Sequence, residues 1–142
     1  ALLEPSAGLG HLAVPARALG AVVQCVELSA PLAEVLERKG LEVTRGDFLE
    51  LAPTLAGAFD RVAMNPPFER GADERHVRVA FGCLRPGGRL VSVVTPRTAE
   101  LLADELGGHV EPLPEGSFQG PGVYRTTSVR CALLVVERPA AD

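Results

Sequence analysis

Tryptophan is absent from this 142-residue chain, tyrosine and methionine occur once each, and phenylalanine five times. With so few aromatics, the position of each is informative. Nor does any stretch approach the roughly 20 unbroken apolar residues that a membrane span needs, and no basic-then-apolar leader precedes the first strand-like segment. Nothing therefore argues for export, and a cytoplasmic protein is expected. Cysteine is sparse: Cys25, Cys83 and Cys131 lie far apart among apolar residues, with no CxxC spacing. That pattern excludes a disulfide framework and a zinc site, and predicts buried reduced thiols and no metal. Positive charge is also lacking, since 14 Lys and Arg face 18 Asp and Glu for a net charge of −4. No global field draws in nucleic acid.

What is present fits one globular core. Hydrophobic residues make up 46% and charged residues 23%, and the length admits a single domain, 1–142, rather than two. Ala1 already reads as part of a strand, so a longer native chain is expected. One segment breaks the acidic trend. Between Asn65 and Arg97 stand Arg70, Arg75, Arg78, Arg85, Arg89 and Arg97 against Glu69, Asp73 and Glu74. This local excess reads as a solvated helix face or as a phosphate-contacting rim beside a site.

Apolar runs alternate with helical periodicity. Strands are expected at Ala1–Glu4, Ala21–Glu27, Leu41–Val43, Phe59–Met64 and Arg89–Val94, with further strands at 109–113 and 127–137. The sequence AVVQCVE at 21–27 is nearly continuous in apolar character, as in a strand covered on both faces. Helices are predicted over His11–Leu19 and from Ser29, an N-cap candidate, to Gly40. Others follow from the spacing of Val77, Ala80, Phe81 and Leu84, and over Thr98–Leu106. Arg85-Pro86-Gly87-Gly88 reads as a helix break and turn. The alternation predicts an α/β fold: a mostly parallel seven-stranded Rossmann-like sheet with helices on both faces. The last two strands, with no helix between them, should form an antiparallel edge.

In such sheets ligands bind outside the carboxyl ends of the strands. Each distinctive motif sits at one of those ends: Glu4-Pro5-Ser6-Ala7-Gly8-Leu9-Gly10, Glu27-Leu28, Asp47-Phe48 and Asn65-Pro66-Pro67-Phe68. Gly8-Leu9-Gly10-His11-Leu12-Ala13 fits G-x-G-x-x-G/A, and Glu27 follows at the distance of a ribose-binding acid, which by itself admits a dinucleotide. Glu4 argues otherwise, because a carboxylate at the mouth of the loop repels a pyrophosphate. S-adenosylmethionine carries no phosphate and does carry a sulfonium and an α-ammonium, both suited to Glu4. Glu27 would then accept from the ribose hydroxyls. Asp47 would accept from the adenine amine with Phe48 on the ring, unless Asp47 is simply a turn residue after Gly46.

With those motifs in order, the chain resembles the class I S-adenosylmethionine-dependent methyltransferases. More narrowly it resembles the adenine-N6 DNA methyltransferases that pair an EPSAGxG cofactor loop with NPPF, and the likeness runs over residues 1–137. The helical segment that such enzymes usually place before the first strand is expected to lie outside residues 1–142, and residues 95–106 read as short for the family. The resemblance implies a cofactor site of Glu4, Pro5, Ser6, Ala7, Gly8, Gly10, Glu27, Leu28, Asp47, Phe48 and Asn65. It implies catalysis by Asn65, Pro66, Pro67 and Phe68 on a flipped or single-stranded adenine, with a separate target-reading subunit as a possible partner.

The chemistry suits those residues. An aromatic amine is a weak nucleophile because its lone pair is delocalised into the ring. Two acceptors, Asn65 Oδ1 and the Pro66 carbonyl, would favour a tetrahedral nitrogen, with the prolines holding the carbonyl stiffly in place. Phe68 offers a face for the base. Arg70 and Arg75 would hold the nucleic-acid backbone, and Phe118 or Tyr124 would stack a base or merely anchor their loop. His76 reads as a surface helix residue, and His11 and His109 suggest no role. Other readings are methylation of RNA adenine or of a protein glutamine amide, and a non-catalytic methyltransferase-like binding module.

Overall fold

The computed structural model describes residues 1–113 and 131–141. The expected loop with Phe118 and Tyr124, and residues 127–130 of the expected last strand, lie outside the described residues. Seven strands form one sheet in the order β3-β2-β1-β4-β5-β7-β6. They are β1 (Leu2–Glu4), β2 (Val23–Glu27), β3 (Glu42–Arg45), β4 (Phe59–Met64), β5 (Leu84–Val94), β6 (His109–Pro112) and β7 (Ala132–Glu137). The pairings β1 with β2, β2 with β3, β1 with β4 and β4 with β5 are parallel. β7 runs antiparallel to both β5 and β6, so the last two strands make the antiparallel edge, with β6 outermost.

The helices are α1 (Ala13–Ala18), α2 (Ala30–Arg38), α3 (Phe48–Leu51), α4 (Ala72–Phe81) and α5 (Pro96–Leu106). Ser29 caps α2 as its sequence position requires, accepting from the Leu32 N–H. Leu36 and Ala13, from α2 and α1, pack with Val23, Cys25 and Leu41 on one face of the sheet. Phe48, Val77, Ala80, Ala99 and Leu102, from α3, α4 and α5, pack with Leu3, Val26, Val62 and Leu134 on the other. Consecutive residues Cys25 and Val26 thus serve opposite cores, the physical reason β2 reads as continuously apolar.

Two expectations need correction. Arg85-Pro86-Gly87-Gly88 does not separate a helix from a strand but lies inside β5. Leu84 opposes Phe59 and Arg89 opposes Arg61, so the tetrapeptide forms a bulge. Gly88 is required there, because a Cβ would stand 2.9 Å from the Arg85 carbonyl oxygen and 3.1 Å from that of Asp60. The six arginines also do not form one rim. Arg85 and Arg89 lie in the amino-terminal half of β5, where Arg85 donates to the Ala58 carbonyl and Arg89 pairs with Glu137. Arg78 is taken up by Glu74 and Glu105.

Chain direction in sequence space reverses between β1 and β4: from β1 the sheet grows to β2 and β3 on one side, to β4 and β5 on the other. A crevice opens at such a switch point. The residues that end β1 and follow β4 there are Glu4 and Asn65.

Candidate active site

A cavity of about 730 Å³ occupies that crevice, the size of a small-molecule site. Its wall includes Glu4 to Leu9 after β1, Glu27 to Ser29 after β2, Gly46 to Leu49 after β3, and Asn65 and Pro67 after β4. Four strand ends, scattered over more than 60 residues of sequence, converge on one space.

Gly10 closes the first loop, and its φ of +89° is a conformation that side chains rarely adopt. A Cβ there would also press on Leu36 at 3.1 Å and Val14 at 3.2 Å. Four of the loop's N–H groups are already bonded to the loop itself or to β2. Ser6 N donates to Glu4 Oε1 at 3.1 Å, and Gly8 N to Glu27 Oε1 at 2.7 Å. Ala7 N donates to the Val26 carbonyl, and Gly10 N to that of Ala7. A phosphate-cradling loop must aim such donors at its ligand; this one commits two of them to its own residues and two to β2.

Glu4 is 1% exposed. Burial pushes its pKa up to about 8, partly offset by the Ser6 N–H and reinforced by the charge of Glu27. Its Oε2 is buried and has no partner among the described residues. Glu27 is buried too, and its second oxygen accepts from Ser29 N at 2.8 Å. Both Glu27 oxygens therefore tie loops together, each keeping a second lone pair for a ligand hydroxyl. Asp47 caps α3 through Leu49 N at 2.9 Å, so the turn role and a place in the cavity wall coexist. Leu28 at the mouth is 72% exposed.

After β4, Asn65 is half-buried, and its Oδ1 is buried without a partner among the described residues. Pro66 is buried, Pro67 lines the cavity, and Phe68 is half-buried just outside the lining. Arg70 is exposed in the left-handed region at φ 52°, and its carbonyl accepts from Arg75 Nη1 at 3.1 Å. Arg75 thus braces this turn and is exposed as well.

Sequence reasoning missed two residues. Asp73, at the start of α4, is 1% exposed and accepts at 3.0 Å from both the N–H and the hydroxyl of Thr95. It fastens α4, the helix that follows NPPF, to the end of β5. His76 is not a surface residue: it is half-buried in the cavity wall, 6.0 Å ring to ring from Phe48. Burial lowers its pKa, with Asp47 and Asp73 opposing. Its position one helical turn after Ala72 gave the only signal, and an apolar stripe through Val77 and Ala80 concealed it. The Cys25 and Cys83 thiols are buried, and burial pushes them up to about 12 and about 11, outside any reactive range. Among the described residues no group of three or more His, Cys, Asp or Glu is placed to hold a metal ion, and no helix is long and apolar enough to cross a membrane.

The sheet order, the crossovers and the cavity at the β1/β4 switch define the fold of the S-adenosylmethionine-dependent methyltransferases. The 16S rRNA N2 G1207 methyltransferase of T. thermophilus, solved with AdoMet and guanosine, is 26% identical with a TM-score of 0.69. The match covers 99% of this chain and 36% of that one, so the chain spans little more than a third of its length. A SAM-dependent methyltransferase from Archaeoglobus fulgidus superposes with a TM-score of 0.74 at 12% identity, covering 96% of this chain and 85% of that one. One from Mesorhizobium loti gives 0.69 at 14%, covering 96% and 90%. No protein-family model and no curated protein matches the chain.

Proposed function

We propose that this chain is a catalytic domain that uses S-adenosylmethionine to methylate the exocyclic amino nitrogen of a nucleobase, with adenine N6 of DNA as the first candidate. One observation carries the reading. The same cavity wall holds a buried carboxylate oxygen on Glu4 and a buried acceptor on Asn65 that both lack a partner among the described residues. The first suits a cationic ligand, and the second suits an N–H.

The residues present fit the cofactor. Glu4 would face its cationic groups, where the orphaned Oε2 gains a partner and burial strengthens the attraction. Glu27, held by Gly8 and Ser29, would accept from the ribose hydroxyls; Asp47 and Phe48 would take the base; Leu28 would cover one side. When bound, S-adenosylmethionine supplies an electrophilic methyl group on a sulfonium. Everything else falls to the chain. Asn65 Oδ1 accepts one N–H of the target amine and the Pro66 carbonyl the other. The nitrogen lone pair is thereby released from the ring. Pro66 and Pro67 keep these acceptors from moving, so the reacting geometry costs little at the moment of transfer. Phe68, beside the cavity, offers a face for a base brought out of its stack. Arg70 and Arg75 would meet the backbone.

The choice of DNA adenine rests on the motifs EPSAG and NPPF. A 26% identical neighbour that bears guanosine supports a second reading, a purine amine of RNA, through the same acceptors. The test offers tritiated S-adenosylmethionine with DNA, with RNA and with protein extract. Label recovered as N6-methyladenine in DNA supports the first reading, and label in an RNA purine supports the second. Label in protein alone refutes both.

A further inference from the structure

We infer that His76 is a purine-specificity residue of the cofactor pocket, its neutral ring accepting through Nδ1 from the adenine amino group that Asp47 also faces. The inference rests on the proposed cofactor, but it is carried by separate observations. His76 lies in the cavity wall with Asp47 and Phe48 and packs against Phe48, so it belongs to the same end of the site. Its Nδ1 is buried with no partner among the described residues, a state that a native structure tolerates only where something else supplies the partner. The electrostatic surroundings agree. Burial is the largest influence on this ring and, with the charge of Arg75 on α4, favours the neutral form over the opposing pull of Asp47 from the β3 end and Asp73 from α4. A neutral imidazole with its proton on Nε2 presents a lone pair at Nδ1. An adenine amine has two N–H groups; one would go to Asp47, which keeps a carboxylate oxygen beyond the one capping α3, and the other to His76.

A second acceptor alters selectivity as well as affinity. A 6-oxo purine presents a lone pair where adenine presents N–H groups, so it would meet two acceptors and be rejected twice. The measurement is calorimetric binding of S-adenosylhomocysteine and of S-inosylhomocysteine to the wild-type chain and to His76→Phe and His76→Gln. Phe keeps a ring against Phe48 without the nitrogen, and Gln keeps an acceptor. His76→Phe should bind S-adenosylhomocysteine about tenfold more weakly, the size of one hydrogen bond. Its preference for the amino over the oxo ligand should shrink by a similar factor, while His76→Gln, whose amide can accept from the amino ligand or donate to the oxo one, should regain affinity for S-adenosylhomocysteine. A purely packing role would weaken both ligands equally and leave the ratio unchanged; that result, or unchanged binding in His76→Phe, overturns the inference while leaving the proposed function standing. If His76→Phe does not fold, His76→Leu, which also lacks the nitrogen, takes its place in the same comparison, with the same loss of preference expected and an unchanged ratio overturning the inference. Failure of the wild-type chain to bind either ligand refutes the cofactor assignment itself.

Discussion

Glu4→Gln should make the ligand-free protein more stable and the cofactor site useless. Glu4 is 1% exposed, with one oxygen bonded to Ser6 N and the other without a partner among the described residues. Its pKa moves from 4.5 to about 8 on folding. The sign follows from proton counting: between those values the folded protein holds a proton that the unfolded chain releases, so stability falls as pH rises. Below pH 4.5 the group is neutral in both states and costs nothing electrostatic. Above pH 8 it must ionise in the interior, at about 1.4 kcal/mol per pH unit of displacement, or about 5 kcal/mol in all. At pH 7 the penalty is about 3 kcal/mol. Glutamine cannot ionise, so the stability of Glu4→Gln relative to wild type should climb by several kcal/mol between pH 5 and pH 9. The unsatisfied polar atom is common to the amide and to the protonated acid, and cancels in that comparison. At this chain length each kcal/mol moves the melting temperature by roughly 3–4 °C, so thermal melts from pH 5 to pH 9 resolve the effect. Adding S-adenosylmethionine should reverse the ranking, because a bound cation repays the ionised carboxylate and only wild type has one. Parallel pH profiles for the two proteins would refute the reasoning about burial. Equal ligand-induced shifts would refute the placing of the cationic groups.

The remaining predictions concern the residues after β4. Asn65→Ala should abolish methyl transfer and leave cofactor affinity within a few-fold, measured by label transfer and calorimetry; a collapse of cofactor affinity would move Asn65 to the cofactor's side. Asp73→Ala strands the half-buried Thr95 N–H and unfastens α4 from β5, a loss of about 2 kcal/mol in denaturant unfolding; a loss below about 1 kcal/mol would mean the contact is replaceable. Arg70→Gly suits the residue to its φ of 52°, so the melting temperature should hold or rise. Binding to nucleic acid should weaken and its logarithmic salt slope should fall by about one. Unchanged affinity and slope would remove Arg70 from the substrate surface.

Much of this molecule is legible in one dimension because its elements are short, alternating and punctuated. Phe59–Met64 reads as a strand because two prolines cannot continue it, and Ser29 reads as a cap because its hydroxyl can reach an N–H three residues on. Glycine loops and acids at strand ends are likewise local statements. The bulge in β5 was hidden because Pro86-Gly87-Gly88 is locally a turn, and only pairing with β4 and β7 holds it in a strand. The arginine count misled for a similar reason, since composition adds charges that the sheet then sends to opposite ends.

The sequence by itself determined the order of strands and helices, the carboxylates and the Asn-Pro-Pro-Phe turn. Each depends on contacts a few residues long. Only the tertiary structure decided that Glu4, Asp47, Asn65 and His76 share one cavity, which of their polar atoms are left without partners, and that Glu4 holds its proton near neutral pH. Those properties depend on desolvation by residues from other strands and helices, and desolvation has no counterpart in a linear chain surrounded by water.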